Sequence, residues 1–118
     1  MRTICILTAF LFLASALRSA DLWTGQLFDA NCAQHHGELQ KYEDCNPTAR
    51  TATFVLQTSG RMFKLDAGGN KKAAQAWQDY FNSADRAVDP DAKTRALTAV
   101  IQGTVSGDQL QVDSIVLR

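Results

Sequence analysis

The chain has 118 residues, of which 46% are hydrophobic and 20% charged, and its 12 basic residues balance its 12 acidic ones. That length allows at most one ordinary domain. Nucleic-acid binding depends on neutralising phosphates, so a chain with no excess of positive charge is not expected to bind nucleic acid. A small ligand or a protein partner fits the composition better.

The N-terminus has the pattern of a bacterial-type secretion signal. One positive charge, Arg2, precedes an apolar run over residues 4–13, and small residues follow. The apolar stretch ends after about 14 residues, whereas a membrane-spanning helix needs about 20. We therefore expect a cleaved signal peptide and no stable membrane insertion after cleavage. An uncleaved membrane anchor is the alternative.

The cleavage point decides where the mature protein begins. Residues 14–16 form an A-x-A site, which favours cleavage after Ala16, with cleavage after Ala20 as the second choice. Loss of Arg2 leaves 11 basic residues against 12 acidic ones, a formal net charge of −1. The prediction is an exported protein, periplasmic or secreted, with a signal peptide over residues 1–20 and a single domain over residues 21–118.

Two cysteines remain after the signal, which removes Cys5. In an exported protein, Cys32 and Cys45 are expected to form a disulfide. Closing a loop of about 14 residues removes about 3 kcal/mol of chain entropy from the unfolded state. The intervening residues are almost wholly polar and could not fold by burial, so a covalent link is the expected way of holding them.

The same region offers a second hypothesis, a metal-binding or metal-handling protein. Cys32, His35, His36 and Cys45 together supply ligands that zinc or copper would accept. Their spacing is not that of a standard zinc finger, and a disulfide would consume both sulfurs. We therefore expect no metal and no cofactor.

A small secreted enzyme is the third hypothesis. Both histidines lie in one loop, the sequence has no G-x-S-x-G motif, and no pair of carboxylates is evidently placed together. No catalytic residue is assigned, and a non-enzymatic role is predicted.

The first three predicted strands lie on either side of the cysteine loop. Residues 22–28 read as a strand with a bend or bulge at Gly25. Residues 51–58 form the second strand, and residues 59–60 are a turn signal. Residues 61–66 then return as the second half of a hairpin.

The period of the apolar residues then changes from that of a strand to that of a helix. The glycines at 68–69 break the strand, and Asn70 is the expected N-cap. A helix over residues 71–85 places Trp77 and Phe81 on one stripe.

Two strands close the chain. Residues 96–105 alternate apolar and polar side chains, and a turn at residues 106–108 leads into the last strand. The apolar residues of that strand change face between Val112 and Ile115. We therefore predict a bulge near residues 113–114.

This order of elements predicts a mainly β protein. Five strands with one helix between the third and the fourth are the order of the five-stranded OB-fold barrel. Trp77 and Phe81 would let the helix cap one open end of that barrel. An α+β sandwich with an open sheet is the alternative.

Several short motifs support the same fold by resemblance. They are Trp23-Thr24-Gly25, Asp29-x-x-Cys32, Cys45-x-Pro47-Thr48, Phe63-Lys64-Leu65-Asp66-Ala67-x-Gly69-Asn70-x-Lys72-Ala73, Gly103-Thr104-Val105-x-Gly107-Asp108 and Val112-Asp113-Ser114-Ile115. Over nearly the whole mature chain, the sequence resembles a family of small exported bacterial proteins known only as a domain of unknown function and thought to be OB-like. A looser likeness connects it to bacterial periplasmic OB-fold proteins. The resemblance implies the fold and carries over no activity or catalytic residue.

An OB barrel suggests where a ligand would bind. Such barrels use the face of strands two and three and the loops after strands one and four. The corresponding candidate residues are His35, His36 and Tyr42 in the cysteine loop and Arg61 and Lys64 in the hairpin. Phe54 and Phe63 would join them if they faced outward, but core positions are the simpler interpretation. The prediction is a non-enzymatic exported OB-like binding module for a small ligand or a protein.

Overall fold

The structure is a computed structural model that describes residues 20–35, 42–83, 87–88, 91–92 and 95–118. The predicted secretion signal lies outside the described residues, so its presence and its cleavage remain predictions.

Within the described residues, the chain forms five strands and two α-helices. In chain order they are β1 (Asp21–Asp29), α1 (Ala30–Gln34), β2 (Phe54–Thr58), β3 (Arg61–Leu65), α2 (Ala67–Asn82), β4 (Leu97–Ser106) and β5 (Gln109–Leu117). A single 3-10 turn over Tyr42–Cys45 precedes β2.

The five strands close into a barrel in the order β1-β2-β3-β5-β4. Neighbouring strands are antiparallel except β3 and β5, which run parallel and pair at Lys64–Gln109 and Leu65–Leu110. This is the strand order of an OB-like barrel. The predicted mainly β fold is confirmed, and because the barrel is closed the open-sheet alternative is excluded.

The barrel interior follows the alternation of the strands. Leu97, Ala99 and Ile101 of β4 are buried, while the residues between them lie on the outer side. Trp77 and Phe81 of α2 join the same core, with ring centroids 4.7 Å apart. The helix therefore packs against the barrel through the predicted apolar stripe.

The start of α2 differs from the prediction. The helix begins at Ala67 rather than at residue 71, and its N-cap is Asp66 rather than Asn70. The Asp66 Oδ1 atom accepts hydrogen bonds from the backbone N–H groups of Gly69 (2.8 Å) and Val112 (3.2 Å). Asp66 therefore caps the helix and ties it to β5 at once.

Asn70 and Gly69 have other roles inside the first turns of α2. The Asn70 Oδ1 atom accepts a hydrogen bond from the backbone N–H of Phe54 (3.0 Å), which joins the helix to the start of β2. A Cβ atom on Gly69 would lie 2.6 Å from the Val112 side chain. Gly69 thus permits close packing of the helix, and both glycines lie inside α2 rather than before it. The helix also ends earlier than predicted, at Asn82 rather than at residue 85, because Ser83 leaves the helical conformation for an extended one.

The predicted bulge in the last strand is confirmed. Gln102 pairs with Ser114, whereas the next residue of β4, Gly103, pairs with Val112. Asp113 is therefore the extra residue, and it moves the apolar side chains of β5 to the opposite phase.

The predicted bulge at Gly25 is absent. Gly25 pairs in regular register with Ala99, and the pairing with β2 begins at Gln26. A Cβ atom at this position would overlap the backbone carbonyl of Gln57. The glycine is therefore explained by the close approach of β2 and not by a change of register.

Candidate functional site

The predicted disulfide between Cys32 and Cys45 is present, with Cα atoms 5.5 Å apart. It joins the middle of α1 to the end of the 3-10 turn, which follow one another on the path from β1 to β2. Residues 36–41, within this disulfide-bonded loop, lie outside the described residues.

The two ends of the disulfide-bonded segment pack on the outside of the barrel. Phe28 of β1 and Val55 of β2 are 0% and 2% exposed although they do not belong to the barrel core, because Ala30 and Cys45 bury them. The outer face of β1 and β2 has a small apolar core of its own.

A hydrogen-bond network fixes the same segment to the barrel. The Asp29 Oδ1 atom accepts from the Cys32 backbone N–H (3.0 Å), and its Oδ2 atom accepts from the Thr51 hydroxyl (2.7 Å). The Thr51 Oγ1 atom in turn accepts from the backbone N–H of Thr48 (2.9 Å). Asp29 thus links the residues before the first cysteine to those after the second.

A groove lies between α1 and the β2–β3 hairpin. It measures about 320 Å³ and is lined by Ala33, Gln34, Val55, Met62, Lys64 and Asp108. We call it the α1–hairpin groove. Apolar side chains come from α1, β2 and β3, and one cation, Lys64, and one anion, Asp108, lie beside them.

The two charged residues of the groove are adjacent in space. The Lys64 backbone N–H donates to the Asp108 carbonyl oxygen (2.8 Å) where β3 meets the β4–β5 turn. Both side chains are exposed. The groove can therefore offer opposite charges to a ligand whose apolar part contacts the half-buried Ala33 and Met62.

The predicted site residues do not all meet at this groove. Lys64 lines it, whereas the Arg61 guanidinium lies over the Phe63 ring, 4.8 Å from its centroid, at the other end of β3. Phe54 and Phe63 are core residues, 1% and 2% exposed. Since β3 alternates its faces, Arg61 and Lys64 lie on opposite sides of the strand.

The loop residues of the prediction are only partly described. His35 ends α1 and is exposed, and its Nδ1 atom lies 2.7 Å from the backbone carbonyl oxygen of Asn31. A carbonyl oxygen only accepts, so Nδ1 is the donor in this contact. His36 and the side chain of Tyr42 lie outside the described residues.

Sequence reasoning missed five of the six groove residues, all except Lys64. A signal was present in the pair Leu27 and Phe28, where two consecutive apolar residues end a strand. Because neighbouring strand residues face opposite sides, such a pair indicates burial on both faces. The pair therefore indicates that another segment of the chain packs on the outer face of β1 and β2.

The metal hypothesis is narrowed by the disulfide. Cysteine binds a metal as a thiolate. The sulfurs of Cys32 and Cys45 are bonded to each other, so neither can be a metal ligand in the oxidised protein. Within the described part of the chain, no three His, Cys, Asp or Glu residues come together as a metal site. A site built on His35 and His36 remains a prediction.

The fold and the groove define a class: a small OB-like barrel with a disulfide-held segment on its outer face. None of the helices in the described ranges is long and apolar enough to cross a membrane. Comparison of the chain with protein-family models, curated proteins and solved structures found no match in any of the three. The resemblance drawn from the sequence motifs therefore remains a prediction.

Proposed function

We propose that this protein is an exported, non-enzymatic binding module that holds a small ligand in the α1–hairpin groove. The observation that carries the proposal is the position of the groove. It lies on the outer side of β2 and β3, beside the segment that follows β1, which is where OB barrels bind their ligands.

The dimensions and chemistry of the groove favour a small amphiphilic ligand over a large partner. Its volume of about 320 Å³ falls at the lower end of the range for small-molecule sites. Ala33 and Met62 supply the apolar contact, while Lys64 and Asp108 supply opposite charges. A ligand with an apolar portion and a charged or zwitterionic head group matches this arrangement.

Export is supported by the disulfide. A disulfide that braces a folded domain persists in an oxidising compartment and is rare in a reducing one. The N-terminal pattern of Arg2 followed by an apolar run points the same way. Together they favour the periplasm or the extracellular medium.

The proposal of a non-enzymatic role rests on the state of the reactive groups. Both cysteines are bonded, and His35 stands outside the residues that line the groove. Lys64 and Asp108 suit recognition, since neither is buried and surface charges orient a ligand.

A thermal-shift screen tests the proposal. The full chain is expressed with its own N-terminal segment and recovered from the exported fraction, then tested against a panel of small amphiphilic carboxylates, amines and amino acids. A ligand at 100 times its Kd raises the unfolding free energy by about 2.7 kcal/mol. We expect at least one compound class to raise the Tm of the native protein.

Groove variants make the screen specific. Met62→Lys and Lys64→Glu alter the groove, whereas Lys71→Glu makes the same charge change on the exposed side of α2. The ligand-dependent shift should be lost in the groove variants and retained in Lys71→Glu. Shifts that survive in Met62→Lys would place the ligand elsewhere and contradict the proposal.

A further inference from the structure

One edge of β5 is paired along only part of its length. On one side the strand pairs with β4 from Gln109 to Leu117. On the other side it pairs with β3 at Gln109 and Leu110 alone. Among the described residues, no strand lies beside the rest of that edge. We call residues 114–117, on this unpaired side, the open β5 edge.

The backbone groups that follow the β3 pairing are bonded one by one. The Leu110 carbonyl oxygen accepts from the Asp66 backbone N–H (3.0 Å), and the Val112 N–H donates to the Asp66 carboxylate (3.2 Å). The Lys72 ammonium then donates to the carbonyl oxygens of Val112 (3.2 Å) and Asp113 (3.0 Å). This series of hydrogen bonds stops at Asp113, where the open β5 edge begins.

The alternation of an antiparallel pair identifies the groups that the open β5 edge presents. Arg118 and Thr98 exchange both of their backbone hydrogen bonds, at 2.8 and 3.4 Å. Bonded and non-bonded pairs alternate along such a ladder, so Ile115 and Leu117 occupy non-bonded positions opposite β4. Their N–H and C=O groups therefore point away from β4. In the described part of the chain, no group bonds to these two donors and two acceptors.

Two hollows lie along the open β5 edge, each of about 310 Å³. Their opposite wall is one face of α2. The two hollows share Ala76, Asp79 and Ile115 and so form one continuous groove, which we call the α2–β5 groove. The small side chain of Ala76 leaves space between the helix and the strand.

We propose that the α2–β5 groove binds an extended peptide segment of another protein, which pairs with the open β5 edge as an additional strand. Unpaired N–H and C=O groups on a strand edge are a template for a further strand. Main-chain bonds to Ile115 and Leu117 hold the peptide, and every second side chain enters the groove. This groove shares no lining residue with the α1–hairpin groove, so the inference does not depend on the function proposed for that groove.

The charges of the α2–β5 groove indicate the sequence of the peptide. The Lys72 ammonium is already bonded to two carbonyl oxygens. Asp79 lines both hollows, and among the described residues its carboxylate accepts one bond, at Oδ1 from the Gln75 amide (2.9 Å). Ile115 is half-buried and Val116 is 57% exposed, which adds apolar contact. A basic side chain next to β-branched or apolar ones therefore matches the groove.

The position beside α2 favours a single extended chain over a second copy of this protein. The β5 edge of another barrel has its own α2 alongside it, so pairing two such edges brings two helices to the same place. A flexible peptide has no such helix. Its backbone can lie at the usual strand spacing of about 4.8 Å from β5.

Fluorescence anisotropy with labelled peptides tests the proposal. The probes have about six residues, in which valine and threonine alternate and one position is lysine or, in a matched series, glutamate. The full chain is recovered from the exported fraction. We expect lysine probes to bind with a Kd below about 100 µM. The glutamate probes should bind at least about tenfold more weakly, because Asp79 repels them.

N-methylation of the probe distinguishes strand pairing from simple apolar contact and leaves the protein unaltered. A methyl group removes one N–H donor, and only every second amide of the peptide faces β5. The Kd should rise at least about fivefold for methylation at alternate amides and less than about twofold for the amides between them. An equal effect at every amide would overturn the proposal.

Variants of the protein place the peptide in the groove. Ala76→Leu fills the groove and Asp79→Lys reverses its charge, and each should weaken binding of the lysine probes at least about tenfold. Gln78→Leu, on another side of α2, and Asp21→Lys, at the exposed start of β1, are the matched controls and should change the Kd less than about twofold. Circular dichroism checks that each variant is folded.

Three results would overturn the inference. The first is a native chain that binds no lysine probe more tightly than about 1 mM. The second is probe binding that survives in Ala76→Leu. The third is a native dimer that Ala76→Leu dissociates, because the occupant of the groove would then be a second copy of the chain.

Discussion

Removing the disulfide should destabilise the barrel by a predictable amount. The sequence separation of 13 between Cys32 and Cys45 closes a loop of about 14 residues, which corresponds to about 3 kcal/mol of unfolded-state entropy. In a domain of about 100 residues, each kcal/mol of lost stability lowers the Tm by about 4–8 °C. The double variant Cys32→Ala/Cys45→Ala should therefore lower the Tm by about 12–24 °C. Differential scanning calorimetry measures this directly. Asn31→Ala, at an exposed position of α1, is the control and should shift the Tm by no more than about 3 °C.

Removing the disulfide should also loosen the segment around α1 more than the rest of the folded protein. Hydrogen exchange should accelerate at the backbone amides of residues 30–35, whereas the amides of β4, in the middle of the barrel, should keep their relative protection. A double variant whose Tm lies within about 3 °C of the native value would refute the reasoning. It would mean that Asp29 and the apolar contacts around Phe28 hold the segment without the covalent link.

Three further variants test the packing of α2 and of the disulfide-bonded segment. Gly69→Ala should lower the free energy of unfolding measured by chemical denaturation, because there is no room for the added Cβ atom. Gly68→Ala is the control in the same helical turn. Position 68 has open space around it, so this substitution should stabilise the protein by up to about 1 kcal/mol. Asp66→Ala removes the helix cap and the bond to β5, and should cost about 1–3 kcal/mol, against less than about 0.5 kcal/mol for the exposed Asp79→Ala. Thr51→Val removes a buried hydroxyl that donates to Asp29 and accepts from Thr48, and should lower the free energy of unfolding by about 1–3 kcal/mol in the same assay. A Thr51→Val variant as stable as the native protein would refute the role given to these hydrogen bonds.

The barrel could be predicted from sequence because its strands follow a simple rule. Buried residues alternate with more exposed ones along β3 and β4, and the switch of phase between Val112 and Ile115 correctly indicated the bulge at Asp113. The start of α2 could not be read in the same way. Gly68 and Gly69 are poor helix formers in isolation, and the need for a glycine at position 69 arises from the close approach of Val112 and of the capping Asp66 carboxylate.

The candidate site was predicted only in part, for a physical reason. Lys64 and Arg61 were named together as candidate contacts because the fold analogy gives no register, yet Lys64 lines the groove and Arg61 lies on the other side of β3. The remaining groove residues come from α1, β2, β3 and the turn between β4 and β5. Their proximity depends on the way α1 docks on Phe28, which composition does not reveal.

Native mass spectrometry of the full chain recovered from the exported fraction tests the central claim most directly. We predict a mature mass with the disulfide closed and a small-molecule adduct on the native protein. The adduct should be lost in Met62→Lys and kept in Lys71→Glu, and no stoichiometric metal is expected. An adduct that persists in Met62→Lys, or a native chain that carries none and responds to no compound of the thermal-shift panel, would contradict the claim that the α1–hairpin groove is the binding site.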